Sequence, residues 1–99
     1  MDSRTAVIVI SFNEAGRLRR TLRLLKQQTL EPKRTIVVDN ASADGSQELV
    51  EREFPQVEVL QMGRNSGFAA ANNAAVELAS GCDYVALLNA DAYPEPGWL

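Results

Sequence analysis

Four short polar segments each follow an apolar run, and their side chains are of types that bind phosphate, sugar or metal. These segments are Ser11-Phe12-Asn13, Asp39-Asn40, Gly63-Arg64-Asn65 and Asn89-Ala90-Asp91. A carboxylate such as that of Asp91 can hold Mg²⁺ or Mn²⁺ when phosphate oxygens and water complete the coordination. Two interpretations of Asp91 follow: a metal–phosphate site, or a carboxylate that caps the turn before Pro94.

The residue types that are missing narrow the chemistry. The chain has no histidine, and Cys82 is its one cysteine. This excludes a Cys/His zinc site and any nucleophile system that depends on histidine, while a lone thiol fits a reducing compartment. The segment SFNEAGR after the first apolar run has one glycine, and therefore matches neither a dinucleotide fingerprint nor a P-loop. A metal ion held by a carboxylate is the obvious alternative for binding phosphate.

Composition predicts one small soluble domain. The 99 residues are 45% apolar and 23% charged, with a formal net charge of -3. Because there is no basic footprint, we expect no nucleic-acid partner. The longest early apolar run, Ala6 to Ile10, is too short for a secretion signal or a membrane span, so we expect a cytoplasmic protein.

The hydrophobic pattern predicts strands and helices in alternation. The predicted strands are Ala6–Ile10, Thr35–Val38, Val57–Met62 and Tyr84–Leu88. The first helix carries an apolar stripe of Leu18, Leu22 and Leu25. The second helix begins at a capping box of Asp44 and Gln47 and buries Leu49, Val50 and Phe54. The third helix runs from Phe68 to Ala79, with Phe68, Ala71, Ala75 and Leu78 on its buried side.

The order β-α-β-α-β-α-β predicts an α/β fold with a doubly wound, mostly parallel sheet. These strands are largely apolar rather than alternating, although Val57–Met62 alternates weakly, so we expect helices to cover both faces of the sheet, including those of the last strand. Ligands of such sheets bind beyond the carboxyl ends of the strands. The four polar segments are all predicted at this edge.

Four motifs carry a family resemblance: VIVISFNEA, IVVDNASADGS, RNSGFAAANN and LLNADAYPEPGWL. In their order and spacing, from Ala6 to Leu99, they resemble the amino-terminal half of the family 2 nucleotide-sugar glycosyltransferases. These enzymes have a GT-A fold, and the chain looks most like their rhamnosyltransferase-type branch. The resemblance implies that residues 1–99 are the nucleotide-sugar-binding half of a glycosyltransferase domain, ending after the D-x-D-like loop.

The resemblance also implies nucleotide-binding residues. Asp39 would bind the base, Phe12 would pack against the base or ribose, and Glu14 would lie near the nucleotide. Asn65 and Gly67 belong to an N-x-G segment that lies along the nucleotide in this family. Four of them have structural alternatives. Asp39 could accept hydrogen bonds from turn amides, Phe12 could be an ordinary core or loop aromatic, Glu14 could favour the start of a helix, and Gly67 could serve a turn with positive φ.

The segment Asn89-Ala90-Asp91 matches the D-x-D position of the family, with Asn in place of the first acid. This leaves Asp91 as the implied ligand of Mg²⁺ or Mn²⁺ and Asn89 as a hydrogen-bonding partner of the ribose. One carboxylate binds a hard cation less tightly than two. The family places its catalytic base further along the chain, so we expect no catalytic residue within residues 1–99.

The implied function is metal-dependent transfer of a sugar, with inversion, from a nucleotide-diphosphate donor to a hydroxyl of a glycan or lipid-linked acceptor in polysaccharide biosynthesis. We expect the full-length protein in the cytoplasm, at the periphery of the inner membrane, and the 99-residue segment to be inactive alone and to self-associate through an exposed apolar face. Two alternatives stay open. One is a non-catalytic nucleotide-binding or regulatory α/β module; the other is a nucleotidyltransferase, which would need a glycine-rich basic loop after the first strand.

Overall fold

The computed structural model describes residues 4–99 as four strands and three helices in strict alternation. They are β1 (Thr5–Ser11), α1 (Ala15–Lys26), β2 (Arg34–Asp39), α2 (Ser46–Glu53), β3 (Glu58–Gln61), α3 (Phe68–Leu78) and β4 (Tyr84–Asn89). The predicted element order is confirmed, and each boundary lies within two residues of its predicted position where one was given. Across residues 4–99, no helix has the length and apolar character needed to cross a membrane.

The four strands form one parallel sheet in the order β3-β2-β1-β4. The chain moves from β1 outward to β3 and then returns, through α3, to the other side of β1. Since crossovers between parallel strands are right-handed, this change of direction puts α3 on the opposite face from α1 and α2. The predicted doubly wound parallel sheet is confirmed. Its switch point lies between β1 and β4, where Ile10 pairs with Asn89.

On one face, α1 and α2 pack against the sheet. Leu18, Leu22 and Leu25 of α1 are buried as predicted, at spacings of four and three that place them on one side of the helix. They share a core cluster with Val7 and Val9 of β1. The same cluster includes Leu88 and Ala90, so α1 also packs against the end of β4 and the start of the loop that follows it.

On the other face, α3 approaches the sheet through alanines. Ala71 and Ala75, four residues apart, are fully buried against Ile8 of β1 and its neighbours. The prediction that Phe68 and Leu78 share this buried side is wrong, since 57% of Phe68 and 40% of Leu78 are exposed. The close approach of the alanine stripe leaves room for small side chains only, so the larger side chains beside it turn outward.

The prediction that helices cover both faces of the last strand is also wrong. Val85 and Leu87, on the α3 side of β4, are 40% and 49% exposed, whereas Leu88 on the other side is buried in the α1 cluster. The reason is topological: β4 is an edge strand, and α3 packs on β1 and β2. The apolar pattern of a strand does not by itself show which of its faces another helix or strand covers.

The predicted capping box is replaced by a link between two helices. The N-cap of α2 is Gly45, at φ 83°, one residue after the predicted position. One oxygen of Asp44 accepts hydrogen bonds from the amide and hydroxyl of Ser46, and the other accepts from the amide of Ala15 at 3.0 Å. Asp44 therefore joins the first turns of α1 and α2.

Replacing Asp44 with alanine is expected to lower the free energy of unfolding by about 1 kcal/mol, the usual cost of a lost helix cap. Burial raises the pKa of Asp44, but hydrogen bonds from Ser46 and Ala15 outweigh it and bring the pKa below 3.8. A lowered carboxyl pKa stabilises the fold at pH values above 3.8, and this contribution is lost as pH falls through the folded-state pKa.

Urea unfolding at neutral pH and well below pH 3.8 checks this expectation. The control is Glu48→Ala, which removes an exposed first-turn acid of α2 that has no capping bond. If Asp44→Ala lowers the free energy of unfolding by the same amount at both pH values, the role of the ionised carboxylate is contradicted.

Candidate functional site

The carboxyl edge of the sheet has strained loops. Within residues 4–99, three non-glycine residues have positive φ: Asn13 at 52°, Ala41 at 63° and Tyr93 at 49°. They lie in the loops that follow β1, β2 and β4, respectively. Backbone strain persists only where surrounding contacts impose it, and it is common at binding and catalytic sites. The strained loops therefore mark this edge of the sheet as a candidate binding site.

A cavity of about 350 Å³ opens at this edge, at the switch point between β1 and β4. Its lining residues come from the ends of β1 and β4, the loops after β1, β2 and β4, and the start of α3: Ile10, Phe12, Glu14, Asn40, Phe68, Asn89, Ala90 and Asp91. Four of the seven predicted site residues are among them, namely Phe12, Glu14, Asn89 and Asp91. The switch point of a doubly wound sheet is where ligands generally bind.

Two exposed aromatic rings line the cavity, Phe12 and Phe68, with 44% and 57% of their surface accessible. Large exposed apolar side chains together at a concave surface indicate a binding site, and rings of this kind can stack on a planar group. Sequence analysis missed Phe68 because the helical pattern assigned it to the core. Its position as the first residue of a helix, directly after a loop glycine, was the available signal.

Two carboxylates face the same cavity. Asp91 is exposed in a turn closed by a hydrogen bond from the amide of Ala92 to the carbonyl of Asn89, at 3.1 Å. Glu14 is the N-cap residue of α1 and is half-buried. Its Oε2 lies 3.7 Å from Nη1 of Arg17. Within residues 4–99 no cluster of three acidic, Cys or His side chains is positioned to hold a metal ion by itself. The donor set fits a cation that takes its remaining ligands from phosphate and water.

Asp39 lies apart from the cavity wall. Its side chain is 1% exposed and accepts hydrogen bonds from the Ser42 hydroxyl and, at 2.7 Å, from the Gln61 amide group. The structural role expected as the alternative for Asp39 was to accept hydrogen bonds from backbone amides of the turn. The amide of Ala41 instead donates to Gln61 Oε1. Asp39 thus organises the loop after β2 through side chains.

Its neighbour Asn40 occupies the cavity wall instead and is a second residue that sequence analysis did not assign. Asn40 is buried, and its Oδ1 accepts hydrogen bonds from the hydroxyl of Ser66 at 2.8 Å and its amide at 3.3 Å. Successive residues of a strand point to opposite faces, so Asp39 and Asn40 cannot both face the cavity. Asn40 connects the cavity to the loop before α3.

Asn65 and Gly67 lie in that loop, outside the cavity lining. Asn65 Oδ1 accepts a hydrogen bond from the amide of Gly67 at 3.3 Å. Gly67 has φ 82° and ψ 166°, a combination essentially confined to glycine. A Cβ built at this position meets nothing within 4 Å, so the backbone angles, rather than a lack of space within residues 4–99, require glycine here.

The loop that carries Phe12 is fastened to the loop after β2. The amide of Asn13 donates to the Ser42 hydroxyl oxygen at 2.8 Å, and Asn13 Oδ1 accepts from the amide of Ala43 at 2.7 Å. The Ser42 hydroxyl in turn donates to Asp39. These bonds hold two of the three strained loops in one fixed arrangement.

Comparison with known proteins places this geometry in a family. The family model described as "Glycosyl transferase family 2" matches residues 6–99. The chain is 31% identical to the glycosyltransferase AglE of Haloferax volcanii, over 95% of this chain and 32% of that protein. It is 28% identical to the N-acetylglucosaminyl-diphospho-decaprenol L-rhamnosyltransferase of Mycobacterium tuberculosis, over 92% of this chain and 33% of that protein. The chain thus spans about a third of the length of these relatives.

Solved structures agree with the fold. The mannosyltransferase PcManGT from Pyrobaculum calidifontis, in complex with GDP-Man and Mn²⁺, matches with a TM-score of 0.80 at 29% identity, over 92% of this chain and 28% of that one. TarS 1–349 of S. aureus in complex with UDP matches with a TM-score of 0.83 at 27% identity, over 98% of this chain and 29% of that one. The predicted GT-A architecture is confirmed.

Proposed function

Because the chain belongs to glycosyl transferase family 2, we propose that it is the donor-binding part of an enzyme that transfers a sugar from a nucleotide diphosphate to an acceptor hydroxyl. The observation that carries this proposal is the cavity at the switch point, which brings an aromatic ring, Phe12, and a carboxylate, Asp91, together. A nucleotide-sugar offers a complementary pair of features: a planar base at one end and a diphosphate at the other.

The proposed roles are those that the family resemblance implies, and the position of four of the residues in the cavity lining supports them. Phe12 packs against the base or ribose, and Asn89 donates or accepts a hydrogen bond at the ribose. Asp91 holds Mg²⁺ or Mn²⁺, and Glu14 lies close enough to the same cavity to influence the bound cation or nucleotide. The structural match to a mannosyltransferase in complex with GDP-Man and Mn²⁺ supports a divalent cation.

Asp39, Asn65 and Gly67 keep their proposed place along the nucleotide, beside the cavity rather than in its wall. Asp39 is linked to the cavity loops through Ser42, and Gly67 directly precedes Phe68. In this arrangement Asp39 acts on base binding through the loop that it organises, or directly if the nucleotide extends past Asn40.

The proposed reaction proceeds with inversion at the anomeric carbon. The acceptor oxygen forms a bond to that carbon as the bond to the diphosphate oxygen breaks, and the acceptor proton passes to a base outside residues 1–99. A bound divalent cation would neutralise the charge that develops on the departing diphosphate. The contribution of this chain is to hold the donor with its diphosphate at Asp91.

We propose a glycan or lipid-linked acceptor and a cytoplasmic location at the periphery of the inner membrane for the full-length protein. The relative from Mycobacterium tuberculosis, whose name specifies a diphospho-decaprenol substrate, supports the lipid-linked option. For the isolated 99-residue segment we propose self-association, because Val85 and Leu87 form an exposed apolar strip on an edge strand.

Equilibrium titration of the full-length protein with UDP, GDP and TDP, in Mn²⁺ and in EDTA, tests the function. We expect Mn²⁺-enhanced binding of one of these nucleotides, and a loss of affinity of about tenfold in Phe12→Ala, the size of one lost aromatic stack. The matched control is Tyr84→Ala, an exposed aromatic at the opposite end of β4.

Two outcomes of this titration would contradict the proposal. Absence of nucleotide binding favours the non-catalytic module instead. Equal losses of affinity in Phe12→Ala and Tyr84→Ala would place the nucleotide elsewhere. The nucleotidyltransferase alternative has little support, because the loop from Phe12 to Gly16 lacks the glycine-rich basic sequence that it requires.

A further inference from the structure

We propose that Thr21 is a positioning residue that fixes the carboxylate of Asp91 at the cavity, an inference that rests on the proposed function. Thr21 lies on α1 and is completely buried. Its hydroxyl donates a hydrogen bond of 2.6 Å to the carbonyl oxygen of Ala90, the residue directly before Asp91. Neither residue stands out in the sequence, since 69 positions separate them.

The direction of the Ala90 carbonyl determines the orientation of the peptide unit that leads into Asp91. A peptide unit is planar, so the carbonyl of Ala90 and the amide of Asp91 turn together. Ala90 is buried in the α1 cluster, whereas Asn89 and Asp91 on either side of it are exposed. The bond from Thr21 thus holds the carbonyl inward while both neighbouring polar side chains face outward at the cavity.

A second set of bonds, from the turn that follows α1, holds the far end of the same segment. Nε2 of Gln28 donates to the carbonyl of Glu95 at 2.7 Å, and Oε1 of Gln28 accepts from the amide of Leu99 at 2.9 Å. The amide of Thr29, just after Gln28, donates to the carbonyl of Pro96 at 2.8 Å. The segment from Ala90 to Leu99 is therefore fastened at one end to α1 and at the other to the turn that follows α1.

Between these two anchors the backbone is strained. Tyr93 has φ 49°, and the guanidinium carbon of Arg20, next to Thr21 on α1, lies 4.3 Å from the centre of its ring. A left-handed conformation at a bulky residue persists only where neighbouring contacts impose it. We infer that α1 is the template on which the Asp91 loop takes its shape, and that the bond from Thr21 is the anchor nearest to the carboxylate.

Thr21→Val tests the inference because it keeps the shape of the side chain and removes the hydroxyl. The buried carbonyl of Ala90 would then lack a donor and would turn to find one, moving Asp91. In the full-length protein, we expect the Mn²⁺ concentration for half-maximal enhancement of nucleoside diphosphate binding to rise about tenfold, as for other residues that orient a metal ligand. Nucleotide affinity in EDTA is expected to stay unchanged.

Two matched variants separate positioning from general damage. Thr21→Ser keeps a hydroxyl and should restore the wild-type Mn²⁺ midpoint. Thr29→Val makes the same substitution in the turn that follows α1. It removes the hydroxyl bond to the carbonyl of Pro96, at 3.1 Å, but the Thr29 amide still donates to that carbonyl, so the Mn²⁺ midpoint should not move. Thr21→Ala removes the hydroxyl without adding a methyl group, and must reproduce the rise if Thr21→Val does not fold.

A measurement on the metal-free protein provides an independent readout. Hydrogen exchange at the amides of Asp91 and Ala92 should be faster in Thr21→Val than in wild type, while the amides of β1 keep their protection. Faster exchange throughout the protein would instead indicate a purely structural role and would overturn the inference.

The Asp91→Ala background distinguishes failure of this inference from failure of the proposed function. If Asp91→Ala removes the Mn²⁺ response but folded Thr21→Val and Thr21→Ala keep the wild-type midpoint, the inference is wrong and the function stands. If the wild type has no Mn²⁺ response, the metal role of Asp91 and the inference both fail. An equal loss of affinity in Mn²⁺ and EDTA for Thr21→Val also overturns the inference.

Discussion

Asp91→Ala in the full-length protein is expected to lower kcat/KM for sugar transfer by about a thousandfold. A metal ion at the leaving group stabilises the transition state by several kcal/mol, and about 1.4 kcal/mol corresponds to a tenfold change in rate. Within residues 4–99, Asp91 is the one carboxylate in the turn after β4 that lines the cavity, and the other carboxylate at the cavity, Glu14, is paired with Arg17 at 3.7 Å. The same variant should lose the Mn²⁺ enhancement of nucleotide binding.

Glu95→Ala is the matched control for this prediction. Glu95 is an exposed acid four residues further along the same segment, and Gln28 binds its backbone carbonyl rather than its carboxylate. Its kcat/KM should stay near that of the wild type. A comparable loss in the two variants, or full activity of Asp91→Ala with Mn²⁺ still required, would show that another residue holds the cation.

Leu22→Ala is expected to lower the free energy of unfolding by about 3 kcal/mol, the middle of the range for a buried leucine. Leu22 is almost completely buried in the cluster that joins α1 to β1 and β2. Because domains are stable by only about 5–15 kcal/mol, this is a large share of the total. The loss should also weaken nucleotide binding at high temperature, since α1 carries Thr21, the anchor nearest to Asp91.

The control is Leu24→Ala, which makes the same substitution on the same helix. Leu24 is half-exposed and lies two residues, or about 200°, around the helix from Leu22. Urea unfolding should give a loss of less than about 1 kcal/mol. Equal losses at the two positions would contradict the assignment of the buried face of α1.

The fold was predictable because its elements obey local rules. The β-branched runs and the leucine spacing of α1 identify the elements, and their alternation requires parallel strands joined by right-handed crossovers. The exceptions are Phe68, Leu78 and the exposed face of β4. Whether an apolar residue is buried depends on which elements come to lie over it, and hydrophobic periodicity carries no information about that.

The candidate site was predictable in part for the same reason. Polar residues that end parallel strands meet at one edge, which is why Phe12, Glu14, Asn89 and Asp91 line one cavity. The sequence did not indicate that Asn40 rather than Asp39 faces it. That choice depends on the strand register, which places Asp39 opposite Ser11 on the α1 and α2 side of the sheet.

By itself, the sequence determined the order of elements, the parallel sheet, the edge that carries the polar side chains and the family. Only the tertiary structure decided that α1 holds the Asp91 loop through Thr21, that Asp44 joins two helices, and that β4 has an open face. The physical reason is distance along the chain. Strand and helix patterns arise from neighbours within a few residues, whereas these contacts join residues 29 and 69 positions apart and exist only once the sheet has assembled.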